Sequence, residues 1–269
     1  MLATHGESGN LTSRQSKEDL LPCRMSADVK TGHQKDYLMI KGLTEYEKLK
    51  VVRPILGDCK YDAFDMPVIR KTPMDILDWD NLKVIGIQNA SPKTMNKDTL
   101  VLMFNYDKRL LALWNDPLKK VALFQGFAAV GTPDFSVYPS MNVNEIRHNI
   151  FMSRWLGVTW QNYNCLTIPT IGWALPDTYD LCFSGIEHGS VVIISTLGCH
   201  DNTMEFLNGF NEMKARLDPP LVIVFGDMID GMTGTFINFR YTDCFCRNRK
   251  YEQVCLEGVS RIFTIKGDA

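Results

Sequence analysis

The segment SVVIISTLGCHDNTMEFLNGFNEMKARLDPPLVIVF, running from Ser190 to Phe225, carries the clearest structural pattern in the chain. Its two ends, Val191–Ser195 and Leu221–Phe225, are apolar at consecutive positions and rich in β-branched residues. Such runs suit strands buried on both faces, as in a parallel sheet covered by helices. Between them Thr203–Leu217 follows helical spacing, with Asp201 or Asn202 as N-cap and Pro219-Pro220 beyond its end. Strand, helix and strand in this order make one βαβ unit.

The same alternation extends outward in both directions. Further strands are expected at Val84–Gln88, Leu100–Phe104 and Cys165–Thr170, and further helices at Lys108–Trp114 and Asn142–Tyr163. Val121–Phe124 fits either state; helical spacing with Leu118 and Ala128 favours a helical turn, with the strand at Phe127–Val130 before Gly131-Thr132-Pro133. Thr235–Arg240 and Arg261–Ile265 add strands near the end. The fold class is therefore α/β, a mainly parallel sheet with βαβ units. An irregular or incomplete (β/α) barrel and an open doubly wound sheet both fit.

Residues 1–36 read as a polar arm and 37–65 as a helical lead-in, whose helix begins near Thr44 and stops before Pro54. Residues 66–243 hold the α/β domain, and 244–269 form a Cys- and Arg-containing extension.

Composition narrows the function classes. With 29 basic and 31 acidic side chains in 269 residues, net charge alone does not make a polyanion binder. Eight cysteines are too dilute for a disulfide scaffold. The polar N-terminus lacks a signal-peptide pattern, and the longest apolar runs fall far short of the roughly 20 residues that cross a bilayer. The expectation is a cytoplasmic protein with no membrane contact.

In parallel α/β folds, ligands gather beyond the carboxyl ends of the strands. Asn89, Asn105, Asp107, Asp134, Ser136, Trp173, Ser195, Thr196 and Asp227 follow the expected strands. Asp134, fixed behind Pro133, suits a general base, and Asp107 and Asp227 are further catalytic candidates. Asp227 and Asp230, with Asp107 or Asp134, fit a Mg²⁺ site. Arg147, Arg154 and Gln161 recur every seven residues along one helix, a stripe suited to phosphate or carboxylate, with a solvated charged face as the more ordinary alternative. Ser195 and Thr196 precede a helix and suit an anion, though helix capping explains them as well. Trp173, Trp160, Tyr138 and Phe135 offer stacking surfaces for a base; core packing is the alternative for each. Cys244, Cys246 and Cys255 are candidate Zn²⁺ ligands, although Cys-x-Cys is not the paired spacing of a knuckle. Neither Gly-x-x-x-x-Gly-Lys-Ser/Thr nor a strand-following Gly-x-Gly-x-x-Gly occurs, so no P-loop or NAD signature is present.

Several strings, in order, carry a resemblance. They are Thr132–Tyr138 (TPDFSVY), Ser153–Gly157 (SRWLG), Trp160-Gln161, Ile168–Trp173 (IPTIGW), Cys182–Ile186 (CFSGI), Ser195–Gly198 (STLG) and Glu212-Met213. Together, over roughly Met66 to Cys244, the chain resembles domain of unknown function family 4417, found in bacteria, prophages and other mobile elements. The resemblance implies a phage-type setting and no particular reaction. Two positions depart from the family pattern. Met152 stands where an arginine is frequent, and Asn105-Tyr106-Asp107 stands where an acidic pair is usual.

Two functions follow as expectations. One is an enzyme acting on a phosphate-bearing ligand, nucleotide or nucleic acid, at the carboxyl edge of the sheet. The other is a non-catalytic protein that binds a host or phage protein or nucleic acid.

Overall fold

The computed structural model describes residues 42–55, 57–240 and 262–267. The N-terminal arm, Cys244, Cys246 and Cys255 lie outside the described residues. The chain divides into two compact units, one up to Pro54 and one from Ile55 onward. In the first, helix α1 (Glu45–Val52) starts at Thr44. Its hydroxyl accepts from the Glu47 N–H, while the Glu47 carboxylate accepts from the Thr44 N–H, a reciprocal capping box.

In the second unit strands and helices alternate: β1 (Lys83–Gly86), β2 (Thr99–Leu102), α2 (Asp107–Asn115), α3 (Val121–Phe124), β3 (Ala129–Gly131), α4 (Val143–Asn162), β4 (Thr167–Ile168), α5 (Tyr179–Cys182), β5 (Val192–Ser195), α6 (Thr203–Leu217), β6 (Val222–Phe225), β7 (Gly234–Phe239) and β8 (Phe263–Ile265). The ambiguous Val121–Phe124 is helical, with the strand after it.

Strands β1 to β4 form one parallel sheet in sequence order, and β5 to β8 a second, parallel except for antiparallel β8. Ile171 N–H donates to Ile193 C=O and Ile193 N–H to Pro169 C=O, so the segment just after β4 hydrogen-bonds to β5 and continues the first sheet into the second. A doubly wound sheet needs a reversal of strand order, and neither sheet has one. Instead the strands curl. Val84, Leu100, Leu102, Ala129, Ile168, Ile193, Ile223 and Ile237, from all seven parallel strands, meet in one inner core. At the strand ends Phe104 and Phe225 stack with centroids 4.7 Å apart, although three strands lie between β2 and β6 in the sheet order. Among the described residues no ladder joins β1 to β7 or β8, so the curl does not close into a barrel.

The outer face carries the helices. Val192, Ile194, Val222 and Val224 point away from the inner core and pack with Ile146 and Ile150 of α4 and Phe206, Phe210, Met213 and Leu217 of α6. Both faces of the central strands are thus buried, which is why their sequences are apolar without alternation. No helix among the described residues is long and apolar enough to cross a membrane.

Candidate functional site

A cleft of about 970 Å³ opens over the carboxyl ends of the strands. Its wall takes Gln88 from the loop after β1, Asn105 and Asp107 after β2, and Asp134 and Ser136 after β3. Trp173 follows β4, Ser195 ends β5 and Phe225 ends β6. Six strand ends converge on one space, as the curled sheet requires.

The loop after β3 is pinned on several sides. Asp134 N–H donates to Met103 C=O at 3.4 Å, which prolongs the β2–β3 pairing beyond the strands. Ser136 N–H donates to the Asp107 carboxylate at 3.1 Å, fixing the first residue of α2 to the loop. Asn149 of α4 donates to Ser136 C=O at 2.7 Å. Asp134 is therefore held rigidly, yet among the described residues no group donates a hydrogen bond to its carboxylate. Part of the residue opens to the cleft while protein surrounds most of the carboxyl. Desolvation first, then the neighbouring Asp107 charge, push its pKa up to about 7; Arg154 pulls the other way.

Arg154 is the opposite case. It is 2% exposed and absent from the cleft wall. Its Nε donates to Ser184 C=O at 2.9 Å, Nη1 to Thr170 C=O at 3.1 Å and Nη2 to Cys182 C=O at 2.9 Å. Burial lowers its pKa to about 10, which leaves it cationic at neutral pH. The guanidinium ties the segment after β4, α5 and the following turn to helix α4.

The other predicted residues divide in the same way. Arg147 is exposed near the start of α4 and outside the cleft wall. Gln161, near its end, accepts from Arg70 N–H at 3.0 Å and donates to Arg70 C=O at 2.9 Å. The seven-residue stripe is thus spread along a helix of about 30 Å and does not converge on one ligand. Thr196 is wholly buried, whereas Ser195 faces the cleft, donating to Phe225 C=O and accepting from Leu197 N–H, both at 3.2 Å. Asp227 is exposed and outside the wall, beyond a turn at Gly226 with φ of +117°. Asn89 also misses the wall; its neighbour Gln88 takes the place. Phe135 and Tyr138 line the cleft, while Trp160 is buried and donates to Pro117 C=O at 3.0 Å. Met152 is buried, and Asn105, Tyr106 and Asp107 all reach the cleft.

Among the described residues no three His, Cys, Asp or Glu side chains gather as metal ligands, so the Mg²⁺ set with Asp227 and Asp230 is not assembled. Cys199 lies in the wall, but burial and then Asp134 push its thiol pKa up, opposite to what a thiolate nucleophile needs. Sequence reading missed Arg109, Asn202 and Glu205, which also line the cleft. Arg109 and Glu205 sit in the first turn of α2 and α6, the helices that follow β2 and β5. Extending the strand-end rule one helical turn further would have found both.

These features make the chain a curled, mainly parallel α/β protein with a cleft over its strand ends. The chain belongs to the family described as Domain of unknown function (DUF4417), whose model matches residues 60–243. It is 35% identical over 170 residues to the Gene 1 protein of Mycobacterium phage D29, a match covering 61% of each chain. Its identity with the Gene 1 protein of Mycobacterium phage L5 is 35% over 125 residues, covering 45% of this chain and 55% of that one. The chain thus spans 61% and 55% of the length of these two curated relatives. No solved structure matches it. Of the strings behind the resemblance, three supply cleft wall: Asp134–Tyr138, Ile171–Trp173, and Ser195 with Leu197 and Gly198.

Proposed function

We propose that the cleft is the active site of an enzyme of phage or mobile-element type, in which Asp134 transfers a proton to or from a phosphate-bearing, nucleotide-like ligand. The observation that carries this reading is the Asp134 carboxyl itself. It is rigidly placed, receives no hydrogen bond from the described residues and opens to the cleft, and burial with the neighbouring Asp107 charge pushes its pKa up to about 7. A carboxyl with such a pKa holds and releases a proton at neutral pH, which is what general acid–base work needs. Cleft volume falls within the range of small-molecule sites. Aromatic walls suit a base, the carboxylates of Asp107 and Glu205 suit ring or sugar donors, and Arg109 suits an anion. The phosphate role read from Arg147 and Arg154 passes to Arg109, because among the described residues only that guanidinium lines the cleft.

The test is to incubate the protein with nucleotides and short single-stranded oligonucleotides and follow products by mass spectrometry. Turnover should show a pH limb near 7 and be lost in Asp134→Asn. Undiminished turnover in that variant would remove the central assignment.

A second reading has one observation in its favour. Tyr106 and Tyr138 are 71% and 59% exposed at the mouth of the cleft, a rim suited to a host or phage protein or to nucleic acid. Stable capture of single-stranded nucleic acid without turnover, weakened by replacing both tyrosines, would favour it over catalysis.

A further inference from the structure

Gly209 lies in the middle of α6, where alanine is the better helix former. It is buried and is not itself part of the cleft wall. A Cβ at this position would collide with Cδ1 and Nε1 of Trp173. The colliding atoms belong to a rigid ring, so the indole would have to move as a body. Two of its other approaches are taken by Phe206, with ring centroids 5.1 Å apart, and Phe183, at 6.2 Å. Trp173 is half-buried and lines the cleft, so the cleft is the open side toward which the ring can move.

We propose that Trp173 is the platform on which the ligand's flat ring stacks. Gly209 is a positioning residue that sets the depth of that platform and hence the size of ring admitted. The proposal rests on the nucleotide reading of the cleft and names the part of the nucleotide that Trp173 meets. A methyl group at position 209 drives the indole into the cleft and narrows the space above it. A two-ring base loses that space before a one-ring base does.

The experiment measures binding of AMP and CMP to the full chain by equilibrium dialysis, for wild type, Gly209→Ala and Trp173→Leu. Wild type is expected to bind both nucleotides. Trp173→Leu should weaken both about 5-fold or more, since stacking is tolerant of base identity. Gly209→Ala should weaken AMP more than CMP, an outcome that general loss of structure does not produce. Unchanged binding by Trp173→Leu, or equal losses for the two nucleotides in Gly209→Ala, overturns the platform. If wild type binds neither nucleotide, the nucleotide reading falls and this proposal with it. If Trp173→Leu weakens binding while Asp134→Asn leaves turnover intact, the platform stands and only the proton-transfer role is lost.

Thermal unfolding checks the seat without any ligand. Alanine at 209 should lower the melting temperature beside Trp173 and raise it in the Trp173→Ala background. A fall of equal size in both backgrounds overturns the contact.

Discussion

Arg154 and Asp134 each hold an ionisable group where water is scarce, and each feels the other's charge. Their surroundings differ in one respect. Arg154 places three of its nitrogens on backbone carbonyls, from Ser184, Thr170 and Cys182. Asp134 accepts nothing from the described residues and opens to a cleft. A buried polar group whose hydrogen bonds end on its own backbone holds the fold together; one left without partners at a cavity has its bonding capacity reserved for something else. Hydrogen-bond satisfaction, more than charge or burial, separates the two regions.

The largest effect is expected of Arg154→Met. Removing the guanidinium strands three carbonyls whose partners were buried, so the loss should be about 3 kcal/mol or more in urea unfolding. A loss below about 1 kcal/mol would mean that water reaches those carbonyls and that the hub is not a hub. Arg154→Lys should recover little, because one ammonium cannot match a planar fork aimed at three acceptors.

Asp134→Asn should act in the opposite direction. A carboxyl raised from 3.8 to about 7 binds its proton more tightly when folded. Its contribution is therefore full below about pH 4 and is lost as pH rises through about 7. Wild type should lose stability between pH 5 and pH 8.5, and the variant should lose the part of that slope owed to Asp134. At pH 8.5 the variant should be more stable by about 2 kcal/mol, a figure below the full shift because part of the residue is open to solvent. Parallel stability curves for the two proteins would contradict the raised pKa.

Much of the fold was legible because it depends on local pattern. Helix α6 occupies Thr203–Leu217, the bounds its spacing gives; Thr235–Arg240 became a strand of equal length shifted by one residue, and the other expected strands are one to four residues shorter than their sequence extent. The cleft wall was legible where it depends on strand ends, through Asp107, Asp134, Ser136, Trp173 and Ser195. It was not legible where depth matters. Seven-residue spacing gives Arg147, Arg154 and Gln161 the same azimuth on α4, but azimuth says nothing of how far along the axis the body begins. The helix leaves Arg147 in solvent and takes Arg154 into the core. Asp227 lies outside the wall for a related reason: a positive φ at Gly226 turns the chain just before it.

Gly157 tests the packed region at smaller scale. A Cβ there would lie 2.7 Å from both Ile69 Cδ1 and Thr132 Cγ2, so α4 rests almost directly on its neighbours. Gly157→Ala gains about 1 kcal/mol of helix propensity and loses about 1–3 kcal/mol to overpacking, for a net loss of about 1 kcal/mol in urea unfolding. A net gain would show that α4 has room to retreat.

The finest test lies between two adjacent residues. Neighbouring side chains at a strand end point to opposite faces, and Ser195 and Thr196 divide accordingly between cleft and core. Ser195→Ala removes two hydrogen bonds, of which one leaves the half-exposed Leu197 loop to water, so about 1 kcal/mol or less should be lost. Thr196→Val removes a side-chain bond of 3.5 Å, while the Thr196 N–H keeps donating to the same Phe225 carbonyl at 3.0 Å. Its stability should stay within about 0.5 kcal/mol of wild type, because a weak bond is exchanged for an apolar group of the same shape. The two variants should therefore be nearly alike in unfolding and, where the cleft is the proposed active site, unlike in turnover, with only the serine change felt in the cleft. If Thr196→Val also depressed turnover, the boundary between cleft and core would lie one residue deeper than the wall indicates, and Thr196 would return to the site.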